Sequence, residues 1–419
     1  MSDPASAATP DTSTRALLRE RDFLLFWVAR FSSTLGVQIQ SVALGWQVYA
    51  IARMTKSVGE SAFMVSMIGL AQFLPLFLLT LVAGETADRR TRKLIVAATL
   101  ALDAVSAGVL LVLALMGSHQ LWPIFAISVM FGASRAFLSP ASSAMGPMLV
   151  PRPLLPRAIA WNSLSWQAGS IVGPALGGLL LIHSPALAFG ASFGLYLTAA
   201  LLALMIRKTT KPEQQPGSRM ELIKEGLSYV WNNKIVFGSI SLDLFAVILG
   251  GATALLPVFA KDVLHIGPGG FGLLRASPAI GATLVGLYLA ANPIRRNAGK
   301  IMFAGVAVFG LSTVIFGLSK LEWLSVAALA VLGGADMLSV YVRQTLVQIV
   351  TPDAMRGRVA AVSGVFISAS NELGEVESGA AAWLLGPVGA AVFGGVGAMA
   401  VTGIWAFLFP ELRKADKLE

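Results

Sequence analysis

The sequence predicts an all-α membrane protein with twelve transmembrane helices in two pseudo-symmetric six-helix bundles, and three observations predict it. Of the 419 residues, 56% are apolar and only 13% charged, roughly half the charge of an ordinary soluble domain. Apolar stretches of about 20 residues, the length that crosses a bilayer, recur along the whole chain, with the charges gathered in the short gaps between them. A shift of 201 residues lays Gly132 on Gly333, Pro151 on Pro352, Arg157 on Arg358, Gly173 on Gly374 and Gly178 on Gly379, so the chain reads as two related halves.

The elements follow in order. Residues 1–22 are polar and rich in Ala, Ser, Thr and Pro, and are expected to form a flexible cytoplasmic amino terminus without a removable signal peptide. The amino-terminal bundle, 23–206, holds spans at 23–52, 61–83, 94–116, 121–150, 157–182 and 186–206. The polar interval 207–233 begins Arg207-Lys208, passes Pro212 and Pro216, and reads as a cytoplasmic linker ending in an amphipathic helix. The carboxy-terminal bundle, 234–409, holds spans at 234–260, 269–291, 300–319, 322–350, 358–385 and 386–409, and 410–419 is a cytoplasmic tail. Each span must be helical, because hydrocarbon offers no partners to backbone N–H and C=O groups.

Lysine and arginine set the orientation. With the amino terminus inside, 23 of the 31 fall in inside segments, and the outside loops hold only Arg53, Lys56, Lys261 and Lys320. That asymmetry places both termini in the cytoplasm, in a multi-pass protein of the cell inner membrane. It also accounts for the net charge of +9 without nucleic acid as a partner. The chain has no cysteine, its three histidines His119, His183 and His265 are scattered, and no nucleotide fingerprint is visible. No cofactor, metal or enzymatic activity is expected.

The loop after the second span reads Gly84-Glu-Thr-Ala-Asp88-Arg89-Arg-Thr-Arg92-Lys93 and resembles motif A of the major facilitator superfamily. No acidic residue lies at the end of the fourth span to pair with Arg92, as many relatives have. Gly169-Ser-Ile-Val-Gly173-Pro174-Ala-Leu-Gly177-Gly178 in the fifth span is similar to motif C, associated in that superfamily with antiporters. The stretch Thr351-Pro-Asp-Ala-Met-Arg356-Gly357-Arg358-Val359, with Asn371-Glu372-Leu-Gly374-Glu375-Val-Glu377 after it, resembles the branch that includes enterobactin (siderophore) exporters. The resemblance implies parallel six-helix halves with a site between them at midplane. It makes Gly84, Asp88, Arg89, Arg92, Gly169, Gly173, Pro174, Gly177 and Gly178 candidates for the conformational switch.

Ten ionisable residues fall inside the spans: Arg30, Asp103, Arg135, Asp243, Arg275, Asp336, Arg343, Glu372, Glu375 and Glu377. Each costs about 2.5–3.5 kcal/mol at midplane on insertion scales, so such groups should face a cavity or one another. Glu372 and Glu375 lie about 60° apart on one helical face, and Glu377 is turned about 140° from Glu372. Two carboxylates that close in low dielectric repel when both are ionised, which lets a proton load and leave. Glu372, Glu375, Asp336 and Asp243 are therefore the proton-coupling candidates, with permanent pairing to arginine as the competing explanation. The shift of 201 lays Arg135 on Asp336, which suggests an occluding pair between the halves. Arg30, Arg135 and Arg343, with Trp46, Trp161, Trp166 and Phe245 as aromatic walls, are the substrate-binding candidates. Asp103, on a span that is peripheral in this fold, reads as structural, and Arg275 as an interfacial anchor.

The function expected from these features is export of a bulky amphiphilic, siderophore-like small molecule in exchange for protons, by rocking-bundle alternating access of a monomer. The alternatives are a broad-specificity drug or lipid transporter of the same fold and a membrane receptor that does not transport.

Overall fold

The computed structural model describes residues 13–210 and 219–416. The expected flexible segment at 1–12, part of the linker at 211–218 and the end of the tail at 417–419 lie outside the described residues. Among the described residues there are helices and turns and no β-strand. A short helix, Thr14–Arg19, leads into α1 (Arg21–Ala52), α2 (Val58–Arg89), α3 (Arg92–Leu115), α4 (Trp122–Met145), α5 (Leu155–His183) and α6 (Pro185–Leu204). After the linker come α7 (Arg219–Asn232), α8 (Lys234–Gly250), α9 (Gly267–Ala291), α10 (Ala298–Leu318), α11 (Glu322–Val350) and the long α12 (Asp353–Leu408).

Local chemistry sets the boundaries. Ser57 and Glu60 form a reciprocal capping box at the start of α2, and the Asn233 side chain accepts from the Ile235 and Val236 N–H groups at the start of α8. Among the described residues ten helical segments are long and apolar enough to cross a membrane. The first, α1, is not among them, because Ser33, Thr34, Gln38, Gln40 and Ser41 dilute it, and all of these line the internal cavity. α12 is interrupted at Gly386, whose φ of 74° and ψ of 166° are not helical. Glycine reaches that conformation without a Cβ clash, and the two arms that meet there correspond to the last two spans of the sequence reading. One expected helix is broken. The span 234–260 stays regular only to Gly250, then passes through short turns at Thr253–Leu255 and Leu256–Val258 to a single π-turn at Phe259–Val263. Gly250 and Gly251 weaken the helix there, and Pro257 has no N–H to donate.

Within the first six helices, α1 packs on α5 and α6, α2 on α4, and α3 on α4 and α6; within the later ones, α8 and α10 pack on α12, and α9 and α10 on α11. The principal contacts between these two sets are α2 with α12 and α5 with α9. The internal repeat exchanges these two contacts. Three pairs of matched glycines occupy equivalent places: Gly132 abuts Gln72 on α2 and Gly333 abuts Pro278 on α9; Gly173 abuts Gln38 on α1 and Gly374 abuts Val247 and Ile248 on α8; Gly178 abuts Gly272 on α9 and Gly379 abuts Ser66 on α2. Without a hydrophobic drive between helices in lipid, close packing at small residues supplies much of the association. The matched arginines also correspond: Arg157 donates to Thr14 of the short leading helix, and Arg358 pairs with Glu225 of the surface helix α7.

The amino end of α1 and the carboxyl end of α12 lie at one end of the molecule, here the near end. Two polar contacts at that end each lie within one half. Asp22 accepts from the Arg207 and Lys208 N–H groups, and Asp416 accepts from the Asn297 N–H at 2.7 Å. At the opposite, far end the halves touch. A Cβ at Gly178 would stand 2.8 Å from the Gly272 Cα, and one at Gly59 2.7 Å from the Ala382 carbonyl oxygen.

Candidate functional site

A cavity of about 570 Å³ lies between the halves, lined mainly by α1, α2 and α4 with contributions from α3, α5, α6, α9 and α12 and from Thr253, Ala254 and Pro257 of the broken segment. It lies within the range of small-molecule sites. The glycine contacts lie at its far end, and Ser139, Ser142 and Ser143 of α4 line it toward the near end. On α12, Ser368, Glu372 and Glu375 line it, and Gly364, one turn before Ser368, has open space where a side chain would stand.

Six charged residues line the wall: Arg30, Arg135, Arg275, Asp103, Glu372 and Glu375. Arg135 on α4 reaches across to α12, its Nη1 lying 3.1 Å from Glu372 Oε1 and 3.2 Å from Gln72 Oε1. Glu372 and Glu375 stand together over Gly69 of α2, where a Cβ would lie 2.7 Å from Glu375 Oε2 and 3.3 Å from Glu372 Oε2. Gly69 thus leaves the space that the carboxylate pair fills. Arg275 donates to Ser41 Oγ at 3.0 Å and lies within electrostatic reach of both carboxylates. The Arg30 guanidinium makes no ion pair or hydrogen bond among the described residues. Aromatic surface comes from Trp166, Phe131, Phe26 and Phe271.

The structure thus brings together Arg30, Arg135, Glu372, Glu375 and Trp166 of the expected site. Others it places elsewhere. Arg343 and Asp243 form a buried ion pair at 2.8 Å between α11 and α8, off the cavity, with Asp336 beside them. The suggested Arg135–Asp336 pair is replaced by Arg135–Glu372, because α12 rather than α11 faces α2 and α4 at this level. Trp46 stacks on Phe271 at 5.8 Å, Trp161 meets Trp27 edge-on and Phe245 packs on Trp405, so their rings serve helix packing outside the cavity. Two residues that the sequence reading set aside do line it. Arg275 is not an interfacial anchor, since α9 begins at Gly267 and carries it two turns inward. Asp103 belongs to a buried stripe on α3, with Thr99, Ser106, Ala107 and Leu110 at helical spacing, and that stripe was visible in the sequence.

The switch candidates lie at the near end of α2 and along α5. Gly84 and Asp88 occupy the last turns of α2, and Arg89 pairs with Glu85 at 2.7 Å. Arg92 finds the partner that the missing acidic residue would supply elsewhere: it donates to the Ala144 carbonyl at 3.1 Å and contacts Met148 sulfur, at the carboxyl end of α4. A cation there meets the negative end of the helix dipole. Gly169, Gly173 and Gly177 face α1, with Thr34, Gln38 and Ile39 in contact, while Pro174 and Gly178 meet Gly272 of α9.

Comparison with known proteins agrees with this architecture. Residues 12–419 match the family described as transmembrane secretion effector. The chain is 27% identical over 395 residues to the enterobactin exporter EntS of Citrobacter koseri, covering 94% of this chain and 92% of that one. It is 28% identical over 380 residues to the protein of the same name in Shigella boydii serotype 18, covering 90% and 85%. Among solved structures it resembles a POT family transporter in complex with a thioalcohol-conjugated peptide, with a TM-score of 0.74, 11% identity and coverage of 94% and 96%. It also resembles a bacterial homologue of the human lysosomal transporter Spinster, with a TM-score of 0.70, 13% identity and coverage of 94% and 99%. The apolar helices, the halves meeting over a charged cavity and the full-length match together identify a multi-pass membrane transporter: the chain belongs to the transmembrane secretion effector family of the major facilitator superfamily.

Proposed function

We propose that the protein exports a bulky amphiphilic, siderophore-like molecule across the cell inner membrane in exchange for protons. In this reading twelve spans form two six-helix bundles, both termini are cytoplasmic, and a single chain rocks between inward-open and outward-open forms. With the near end cytoplasmic, the conformation described here is open to the cytoplasm and closed outside. The observation that carries the reading is the cross-bundle arrangement of Arg135, Glu372 and Glu375 at the cavity wall. Two acidic groups and one guanidinium at a moving interface give a carboxylate that is held ionised while paired and takes a proton once the pair is broken. The unpartnered Arg30 supplies a fixed positive charge for an anionic or phenolic group of the passenger. Enterobactin, for which the relatives are named exporters, is the natural first probe.

The test is uptake of enterobactin into inside-out proteoliposomes under an imposed pH gradient. Wild type accumulates the probe only with the gradient, whereas Glu372→Gln and Glu375→Gln still exchange it downhill and lose gradient-driven accumulation. Unchanged gradient-driven uptake in both variants would sink the coupling assignment. Failure of wild type to move enterobactin while moving unrelated cationic drugs would favour a broad drug exporter.

A further inference from the structure

The coupling reading leaves one carboxyl group of the cavity without a role. Asp103 on α3 is 3% exposed and lines the cavity, and its Oδ1 has no hydrogen-bond partner. The neighbouring Ser134 hydroxyl, 3.2 Å from the Thr99 carbonyl, is also within hydrogen-bonding reach of the Asp103 carboxyl group. The groups that face Asp103 from the packed helices are Tyr196 of α6, whose own hydroxyl is unpartnered, and Arg135 of α4. Arg135 is the one cation within electrostatic reach of Asp103 among the described residues, and it is turned toward Glu372 and Gln72. An isolated carboxylate withdrawn from water costs several kcal/mol. A charge on Asp103 is therefore better served when Arg135 faces it than while Arg135 is turned to Glu372.

We propose that Asp103 is the second docking partner of Arg135, which pairs with Glu372 in the present conformation and with Asp103 when the halves have moved. Glu372 lies on α12, across the interface, so any rocking motion changes its distance from Arg135. Asp103 and Arg135 lie on α3 and α4, which pack together within one half, so their separation survives that motion. When Glu372 takes a proton from cavity water, the guanidinium is released to the Asp103 carboxylate. When Glu372 returns that proton to the water, it reclaims Arg135. The guanidinium and Asp103 stay charged throughout, so passage from the near-end-open to the near-end-closed form takes up one proton, at Glu372. The proposal rests on the coupling role given to Glu372, and it makes Asp103 a positioning residue that acts through Arg135.

The test needs neither substrate nor gradient, so its failure is separable from failure of the export reading. The chain has no cysteine, so two introduced cysteines, one at the near end of each half, carry spin labels without background. Pulsed-resonance distances in lipid nanodiscs then give the ratio of near-end-open to near-end-closed molecules from acid to alkaline pH. Wild type is expected to change that ratio by about tenfold or more across the range, the response to a difference of about 1.4 kcal/mol. Asp103→Asn should flatten the profile and hold the molecule near-end-open, with Asp103→Glu restoring it. Glu372→Gln should sit at alkaline pH where wild type sits in acid, and adding Asp103→Asn should abolish that displacement. A pH-insensitive wild type, or an Asp103→Asn profile that overlays wild type, overturns the proposal. Should Asp103→Asn fail to fold, a Glu372→Gln profile indistinguishable from wild type overturns it equally.

Discussion

The Tyr49 hydroxyl donates a hydrogen bond to the Asp262 carboxylate, joining α1 to the broken segment after α8 at the far end of the molecule. Arg53 Nε approaches the same carboxylate at 3.4 Å, and the Lys261 ammonium stands over the Trp46 and Tyr49 rings. These contacts cross between the halves only while the far end is shut, so they weight the equilibrium toward that state. A hydrogen bond to a charged group contributes about 1.5–3 kcal/mol. Asp262→Asn and Tyr49→Phe are each expected to raise the far-end-open population by roughly tenfold, read by cross-linking of cysteine pairs introduced across that end. Equal cross-linking in wild type and both variants would show that the contact does not act as a latch.

The glycines of the far end give a second expectation. Gly178 leaves no room for a side chain, since a Cβ would lie 2.7 Å from the Pro268 carbonyl oxygen and 2.8 Å from the Gly272 Cα. Its repeat mate Gly379 is pressed equally hard on Ser66. Gly178→Leu and Gly379→Leu should wedge the halves apart, favour the far-end-open form and abolish turnover. The strain, about 1–3 kcal/mol, is relieved by the motion and not by unfolding. Gly194, with nothing within 4 Å of a Cβ position, is the control, and Gly194→Leu should transport like wild type. Unfolding of the two wedge variants in detergent would instead mark a purely structural seam.

Periodicity and charge placement made the helices legible, and the shift of 201 made the symmetry legible, because matched glycines must serve matched close approaches. Arg135, Glu372 and Glu375 were readable for the same reason, a charge in oil being too costly to leave without a purpose. Partner choice was not. Whether Arg135 meets Asp336 or Glu372 depends on the rotation of α12 against α4, and no local pattern records that. The aromatic walls failed for a related reason: Trp46, Trp161 and Phe245 are compatible with a cavity, with lipid or with a neighbouring ring, and only tertiary packing decides. The break after α8 was masked by hydrophobicity, since apolar residues continue through Pro257 and Phe259 whether or not the backbone is helical.

The Arg343–Asp243 pair yields a stability prediction. Both side chains are less than a tenth exposed, and Asp336 lies beside them. Removing one member of a buried pair strands its partner and costs about 3–5 kcal/mol, while replacing both by apolar groups is often neutral. Arg343→Met alone should therefore lower the thermal unfolding midpoint in detergent sharply. Arg343→Met combined with Asp243→Leu should recover most of the loss. A double variant no better than the single would mean that Asp336 also depends on the guanidinium.

Arg30 separates substrate recognition from coupling. Its guanidinium lines the cavity with no anionic partner among the described residues, whereas Arg135 and Arg275 are held by Glu372 and by Ser41. An unpaired cation facing water is a ready counter-charge for a passenger, and it gains most from a ligand that presents a carboxylate or a deprotonated phenol. Arg30→Gln keeps much of the side-chain volume and removes the charge, so affinity for such a ligand should fall by about ten- to a hundredfold, the loss of one charge-assisted hydrogen bond of about 1.5–3 kcal/mol. Binding titrations with enterobactin and with a neutral O-methylated analogue distinguish the cases. The variant should bind both with similar weakness, and wild type should prefer the acidic form. If Arg30→Gln weakens both ligands equally, the residue shapes the cavity without reading charge, and the passenger's anionic group must be sought at Arg135 or Arg275.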